Sequence, residues 1–540
     1  MAAQPLRSLD VAIIGAGAAG LVTARELIRA GHTVTIFEQG DGVGGVWVYT
    51  DETEEAEGGE GEEGGAPPPP VHSSMYAGLR TNLPRHLMSF SDFPFGGGGG
   101  GASAYPGHGE VRAYLAAFAA SAGLGAVIRR GAQVAACDPV PAAEDAAAGR
   151  PPLPWPRWRV TAGGGGHPGG EVFDALAVCS GHFAVPRRPP LDIDPSWGGP
   201  VLHTHDYRSP TAGRLGAALA KAGGEGVVAV LGAGPSGEDV AKEISPHAAT
   251  VLLCASTWDA DRRAPAGARG NIRAAPWVTG VGRGGVPVFE EARLPPPAPA
   301  AGGAAPARPP PPPPPPAPPP PCRLAALVLA TGYRYAFPFL PAAAASAVDN
   351  EVLPHLADHL WPPAFAPGLS LIGLPFKVVP FPLMEAQARR VGAALSGRAP
   401  LPADLAGRAA AQAADRAAAG IPARHAHCLS GRRQWAYING LAAAAAGGGG
   451  GGADCGDGGG AAPPFMPPWR AALYDAASAA RKADPDGYRD DPASGVVVGE
   501  AAEAAAAWVE GWITERRGGG EAAEAVVACE EGWIAERRGG

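Results

Sequence analysis

Paired cysteines, clustered metal ligands and long apolar runs are all missing from this 540-residue chain. Its seven cysteines, at positions 137, 179, 254, 322, 428, 455 and 529, contain no CxxC pair. Disulfide-reductase chemistry therefore has no sulfur centre, and a reducing compartment fits. No uncharged apolar stretch approaches ~18 residues, so no membrane span is expected. Met1 to Asp10 leave no room for a signal or transit peptide before the first apolar strand, which points to a soluble, cytoplasmic protein. Positive charge is short as well: 43 Lys and Arg against 52 Asp and Glu leave a formal net charge of −9. That balance offers no basic face for a polyanion, so nucleic acid is not an expected partner. No nucleophile triad or metal cluster stands out, no metal is expected, and the hard chemistry falls to an organic cofactor. Assembly into a homo-oligomer is left open.

What is abundant is glycine and proline, 80 and 61 residues, against an ordinary globular apolar fraction of 46%. They gather in runs, Gly96 to Gly101, Pro309 to Pro321 and Gly447 to Gly452, which read as disordered inserts in a normal fold, the polyproline tract as an exposed polyproline-II rod. Near the end, Glu500 to Gly519 and Glu521 to Gly540 are near-copies and read as short solvated helices from a duplication.

The informative segments lie between these runs. Val11 to Gly15 reads as a buried strand, Ala18 to Ala30 as a helix and Thr33 to Glu38 as a second strand, a βαβ unit. Val227 to Gly232, Ser236 to Ile244 and Thr250 to Ser256 repeat the pattern. Trp155 to Thr161 and Val172 to Cys179 read as strands around the loop Gly163 to Gly170. Leu324 to Leu329 is another apolar strand, and the turn Ala330-Thr331-Gly332-Tyr333 brings the chain back. The expected fold class is α/β, with two Rossmann-like dinucleotide-binding domains, the second inserted into the first. The boundaries are 1–181 for the first part of the outer domain, 182–327 for the inserted one with a Pro-rich insert at 295–321, 328–441 for the returning part, and 442–540 for a low-complexity extension.

Each unit carries a G-x-G-x-x-G loop between strand and helix. In the first, Gly15 permits the tight turn, Gly17 lets backbone approach a pyrophosphate, and Gly20 lets helix meet strand, with the helix amino end facing phosphate. Glu38 closes the second strand, where a carboxylate accepts ribose hydroxyls and repels a 2′-phosphate; this favours FAD. The second loop comprises Gly232, Gly234, Ser236 and Gly237. No acid follows its next strand, which ends Ala255-Ser256-Thr257, so a 2′-phosphate is tolerated, and Ser256 with Arg262 or Arg263 suits it; this favours NADPH.

Trp197-Gly198-Gly199-Pro200-Val201-Leu202-His203-Thr204-His205-Asp206-Tyr207 lies between the loops. With Trp in place of Phe, it is similar to F-x-G-x-x-x-H-x-x-x-Y/F, the identifying pattern of the flavin-containing monooxygenases. The chain also resembles that family from Glu38 through Gly44-Gly45-Val46-Trp47 and in Ala330-Thr331-Gly332-Tyr333. Tyr76 to Arg85 and Phe93-Pro94-Phe95 look most like the plant branch that S-oxygenates glucosinolate side chains. Tyr105 to His108, Ser180-Gly181-His182 and Gly420 to His425 continue the likeness.

The resemblance implies that NADPH reduces FAD, that the reduced flavin adds dioxygen at C4a, and that the hydroperoxide oxygenates a small thioether or amine. Such an activity is of the N,N-dimethylaniline monooxygenase type. It also implies site residues: Asn82 beside the flavin as catalytic residue, and Gly45, Trp47, His203, Tyr207, Thr331, Gly332 and Gln387 as cofactor contacts. His203 with Tyr207 fits a structural cluster joining the domains equally well, and the segment around Gly373 and Gln387 fits a capped helix. Thr257 departs from the branch, which commonly has Arg there. Two other outcomes remain: Baeyer–Villiger or oxidative-decarboxylating chemistry on a carbonyl, or an uncoupled NADPH oxidase-like flavoprotein acting through its tails as an interaction module.

Overall fold

A computed structural model describes residues 8–53, 73–95, 103–163, 169–256, 258, 264–290, 322–348, 351–353, 355–447 and 465–491, with positions 503, 504, 507 and 508. The polyproline tract, Thr257, Arg262, Arg263, the Gly96 to Gly101 run and all but four positions of the duplicated C-terminal segment lie outside the described residues.

Two five-stranded parallel sheets organise the chain. The first has the spatial order Leu369–Leu371, Ala175–Val178, Asp10–Ile14, Thr33–Phe37, Ile128–Arg129. From Val11 to Ile14 its central strand is apolar, because both faces are covered there. Val11 and Ile13 pack with Leu21 and Leu27 of the helix Ala18–Arg29, while Ala12 and Ile14 pack with Trp158 and Phe173 on the opposite face. The second sheet has the order Val201–His203, Leu324–Leu329, Val227–Leu231, Thr250–Ala255, Ile272–Pro276. Here Val228 and Val230 serve one core and Ala229 and Leu231 the other. Two chain crossings join the sheets, and they pair with each other: Tyr333–Arg334 runs antiparallel to Val185–Pro186.

Several sequence expectations change. Val172 to Cys179 is two strands: Glu171–Phe173 pairs antiparallel with Trp158–Ala162, whereas Ala175–Val178 joins the first parallel sheet. Asp174 makes the switch, its backbone N–H donating to the Asp10 carbonyl and its carboxylate accepting from Asp10 N and Arg157 Nε. The boundary at 327/328 cuts the strand Leu324–Leu329, which stays paired with Val227–Leu231 through Leu329, so the crossing back begins at Ala330. The boundary at 441/442 likewise cuts the helix Arg433–Ala445.

The larger correction concerns the C-terminal extension. Pro468–Ala483 is a sixteen-residue helix with Trp469, Arg470, Leu473 and Ala477 buried, and its Trp469 and Leu473 belong to the core of the first unit. Its buried Arg470 donates to the carbonyl and hydroxyl of Ser89 at 3.2 and 3.0 Å. Among the described residues, no helix is long and apolar enough to cross a membrane.

Candidate active site

The two glycine loops are built alike. A Cβ on Gly20 would fall 1.8 Å from the Gly15 carbonyl oxygen, and a Cβ on Gly237 would fall 1.8 Å from that of Gly232. The third glycine of each loop is therefore required by the protein itself. The middle glycines differ: a Cβ on Gly234 would meet nothing within 4 Å, and one on Gly17 would lie 3.4 Å from Gly45 Cα. What they keep clear is the space before the amino ends of Ala18–Arg29 and Pro235–Ile244, where unpaired N–H groups favour phosphate. Both loops thus fit a pyrophosphate.

Around the first loop, Gly44 N donates to the Ala16 carbonyl at 3.1 Å, and the turn Gly45–Trp47 lies against Gly17. Glu38 ends beside the same loop. Its Oε2 accepts from Ala16 N at 2.7 Å and its Oε1 from Gly40 N at 2.8 Å, leaving lone pairs for hydroxyl donors.

A cavity of about 1140 Å³ lies between the units. Gly234 and Ser236 of the second loop line it, as do Thr331 and Gly332 of the returning turn and Asn82 from the first unit. Asn82 is exposed on this wall, and its amide makes no hydrogen bond to other described residues. His182 also lines the space; its Nε2 is buried with no hydrogen-bond partner among the described residues, and burial pulls the ring down to about 4, so the imidazole is neutral. Tyr333 completes this side, its phenol pushed up to about 12 by burial.

Another part of the lining is basic. Lys377, Arg187 and Arg424 surround His425, which burial first and then these cations hold below its ordinary value. Lys377 adopts φ 58°, a left-handed backbone uncommon outside glycine. Glu238 is the one acid among the described lining residues, and it accepts from Arg481 at 2.5 Å. Tyr474, Arg481 and Lys482 come from the C-terminal helix, which sequence reading missed. Its signal was the apolar spacing of Trp469, Leu473 and Ala477, camouflaged by alanine and flanking Gly/Pro runs.

Three expected cofactor contacts are directed elsewhere. His203 is fully buried, accepting at Nδ1 from His205 N and facing the Gly332 carbonyl with Nε2, each at 3.0 Å. Tyr207 is buried and donates to Glu243 at 2.7 Å. Neither lines the cavity. The motif that contains them is a joint: a Cβ on Gly199 would stand 2.3 Å from the Trp197 ring, whose Nε1 donates to the Leu324 carbonyl. Gln387 is also wholly buried, accepting from Gly373 N and donating to Tyr437, both at 2.8 Å. It shapes the Gly373 turn. Ser256 is exposed beyond the strand Thr250–Ala255.

Two parallel sheets, each with its own glycine turn before a helix, and a cavity between them lined by neutral and cationic groups and the ion-paired Glu238 suit a protein that takes two dinucleotides. The chain belongs to the flavin-binding monooxygenase-like family, whose model matches residues 8–269. It is 34% identical over 447 residues to the flavin-containing monooxygenase FMO GS-OX-like 2 of Arabidopsis thaliana, covering 81% of this chain and 85% of that protein. It is 35% identical over 450 residues to FMO GS-OX4 of the same plant, covering 82% and 85%. Among solved structures, the S-allyl-L-cysteine S-oxygenase of Allium sativum superposes with a TM-score of 0.70 at 32% identity, covering 90% of this chain and 96% of that one. Tmm from a Pelagibacter species superposes with a TM-score of 0.62 at 19% identity, a likeness of fold alone. The enzyme is a flavin monooxygenase that depends on FAD and NADPH.

Proposed function

We propose that the enzyme oxygenates a small soft nucleophile, a thioether before an amine, with FAD on Gly15 to Gly20 and NADPH on Gly232 to Gly237. The observation that carries this is the shared cavity: the amino end of Pro235–Ile244, the Thr331–Gly332 turn and Asn82 line one space. When bound, the NADPH-reduced flavin supplies the activation of dioxygen and the transfer of one oxygen atom.

The chain's own residues bind, orient and exclude. Gly17 and Gly234 leave room for the two pyrophosphates, and Glu38 offers lone pairs to a ribose. Ser256, exposed beyond its strand, would hold a 2′-phosphate on the second dinucleotide. Asn82 offers a neutral amide, able to donate or accept without adding charge beside the reacting atoms. Neutral His182, which lines the same cavity, likewise adds no charge. Among the described lining residues no carboxylate is free of a cation partner, in keeping with a reaction that needs no protein nucleophile.

The S-oxygenase named among the solved structures supports sulfur as the atom oxidised. The test is product analysis on the purified, flavin-loaded chain with NADPH, oxygen and two probes, methyl p-tolyl sulfide and a cyclic ketone. Sulfoxide with no ester is expected. Ester formation moves the enzyme to carbonyl chemistry, and hydrogen peroxide with neither product makes it an oxidase.

A further inference from the structure

The stretch 484–491, which follows the C-terminal helix, crosses from one nucleotide-binding unit to the other, and Arg489 stands at the crossing. Its Nη1 and Nη2 donate to Oδ1 and Oδ2 of Asp239 at 2.8 and 2.7 Å, and its Nε donates to the Thr81 carbonyl at 2.8 Å. Asp239 lies on Pro235–Ile244, the helix whose amino end faces the cavity; Thr81 immediately precedes Asn82. One planar guanidinium therefore links the second glycine loop's helix to the loop that carries Asn82.

The link is built to hold a fixed distance. The two side chains are only 10% and 13% exposed. Burial opposes both charges, yet Asp239 holds Arg489 above its ordinary value and Arg489 holds Asp239 below its own, so the pair is ionised. The Tyr76 hydroxyl donates to Asp239 at 3.1 Å, adding a second tie from the same loop region. The neighbouring residues are fastened on both sides. Arg80 reaches Asp490 at 2.6 Å and the Arg489 carbonyl at 2.8 Å, while the Asp486 carboxylate accepts from Ala266 N and Gly267 N at 2.6 and 3.0 Å. A lysine in place of Arg489 reaches only part of this set, because it lacks the rigid fork.

We propose that Arg489 is a positioning residue that fixes Asn82 relative to the amino end of Pro235–Ile244, and so keeps oxygen transfer coupled to NADPH oxidation. The inference rests on the reading of Asn82 as the amide beside the reacting atoms. Displacement of such a group by about 1 Å costs on the order of a hundredfold in a reaction that depends on orientation.

The test measures sulfoxide formed and hydrogen peroxide released per NADPH, with methyl p-tolyl sulfide as probe, on the full flavin-loaded chain. Arg489→Ala is expected to retain FAD and NADPH-dependent flavin reduction while sulfoxide per NADPH falls roughly tenfold and peroxide rises to match. Asp239→Asn, which preserves shape but removes the charge, is expected to move coupling in the same direction, and Arg489→Lys to recover only part of it. Should Arg489→Ala lose its flavin, Asp239→Asn decides. Wild-type coupling in whichever of these variants retains flavin overturns the proposal, even if melting temperature falls. Asn82→Ala separates the two readings: if it is uncoupled while the Arg489 and Asp239 variants are not, only the positioning role fails; if Asn82→Ala stays coupled, the underlying reading fails.

Discussion

His203 and Gly332 join the chain's way into the second unit to its way out. The Nδ1 of His203 accepts from His205 N, which leaves the ring proton on Nε2 to donate to the Gly332 carbonyl at 3.0 Å. The imidazole must stay neutral to make both bonds, and burial, followed by nearby Arg188, pulls it to about 4. The unfolded chain takes up a proton near pH 6.5 and the folded chain does not. Stability from this group is therefore fully present above about pH 6.5 and is lost as pH falls toward 4. His203→Gln keeps a donor for Gly332 but removes the titration. Urea unfolding at pH 7.5 and pH 5 should show a smaller acid loss in the variant, by at most about 2 kcal/mol; the same loss in both proteins contradicts the assignment.

The middle and last glycines of each loop separate folding from binding. Gly237→Ala pushes a methyl group into the Gly232 carbonyl and is expected to lower stability by about 1–3 kcal/mol or more. At Gly234 an added Cβ meets no described atom within 4 Å, so Gly234→Glu should fold and stay yellow, yet its flavin should not be reduced by NADPH. Gly17→Glu, on the other loop, should purify without FAD. Absorbance spectra before and after anaerobic NADPH check all three.

Asn82→Ala is expected to leave NADPH-dependent flavin reduction within about twofold while sulfoxide per NADPH falls by at least roughly tenfold, the range of a lost orienting group. Asn82→Asp should lose as much product, since shape is kept but charge is added. Coupling measured with thioether probes decides it.

The C-terminal helix is now part of the site. A chain ending at residue 464 strips Trp469 and Leu473 from the core of the first unit and Arg481 from Glu238, and is expected to be insoluble or free of flavin. A chain ending at residue 511 keeps every residue described here and should retain wild-type turnover. Expression and flavin content of the two truncations check the boundary.

Both glycine loops and the central strands of both sheets were legible in the sequence, because continuous apolar runs and glycine spacing report local backbone requirements. Side-chain direction was not legible. His203, Tyr207 and Gln387 fall in family-like segments, but only the fold shows that Gly332, Glu243 and Gly373 claim their polar atoms. Asp174 was hidden for a similar reason: one polar residue inside an apolar run splits it between two sheets through bonds to Asp10 and Arg157. The Pro468–Ala483 helix was lost among Gly/Pro runs because alanine carries little pattern, and its buried Arg470 looks like a surface residue until Ser89 is found beneath it.

The central claim is that one oxygen atom passes from dioxygen to a soft nucleophile in the cavity between the two loops. Its most direct test is turnover of methyl p-tolyl sulfide by the flavin-loaded enzyme under isotopically labelled dioxygen, with the sulfoxide weighed by mass spectrometry. The account predicts one labelled oxygen in each sulfoxide and close to one sulfoxide per NADPH. Unlabelled sulfoxide, or NADPH oxidised to hydrogen peroxide with no sulfoxide formed, would contradict it.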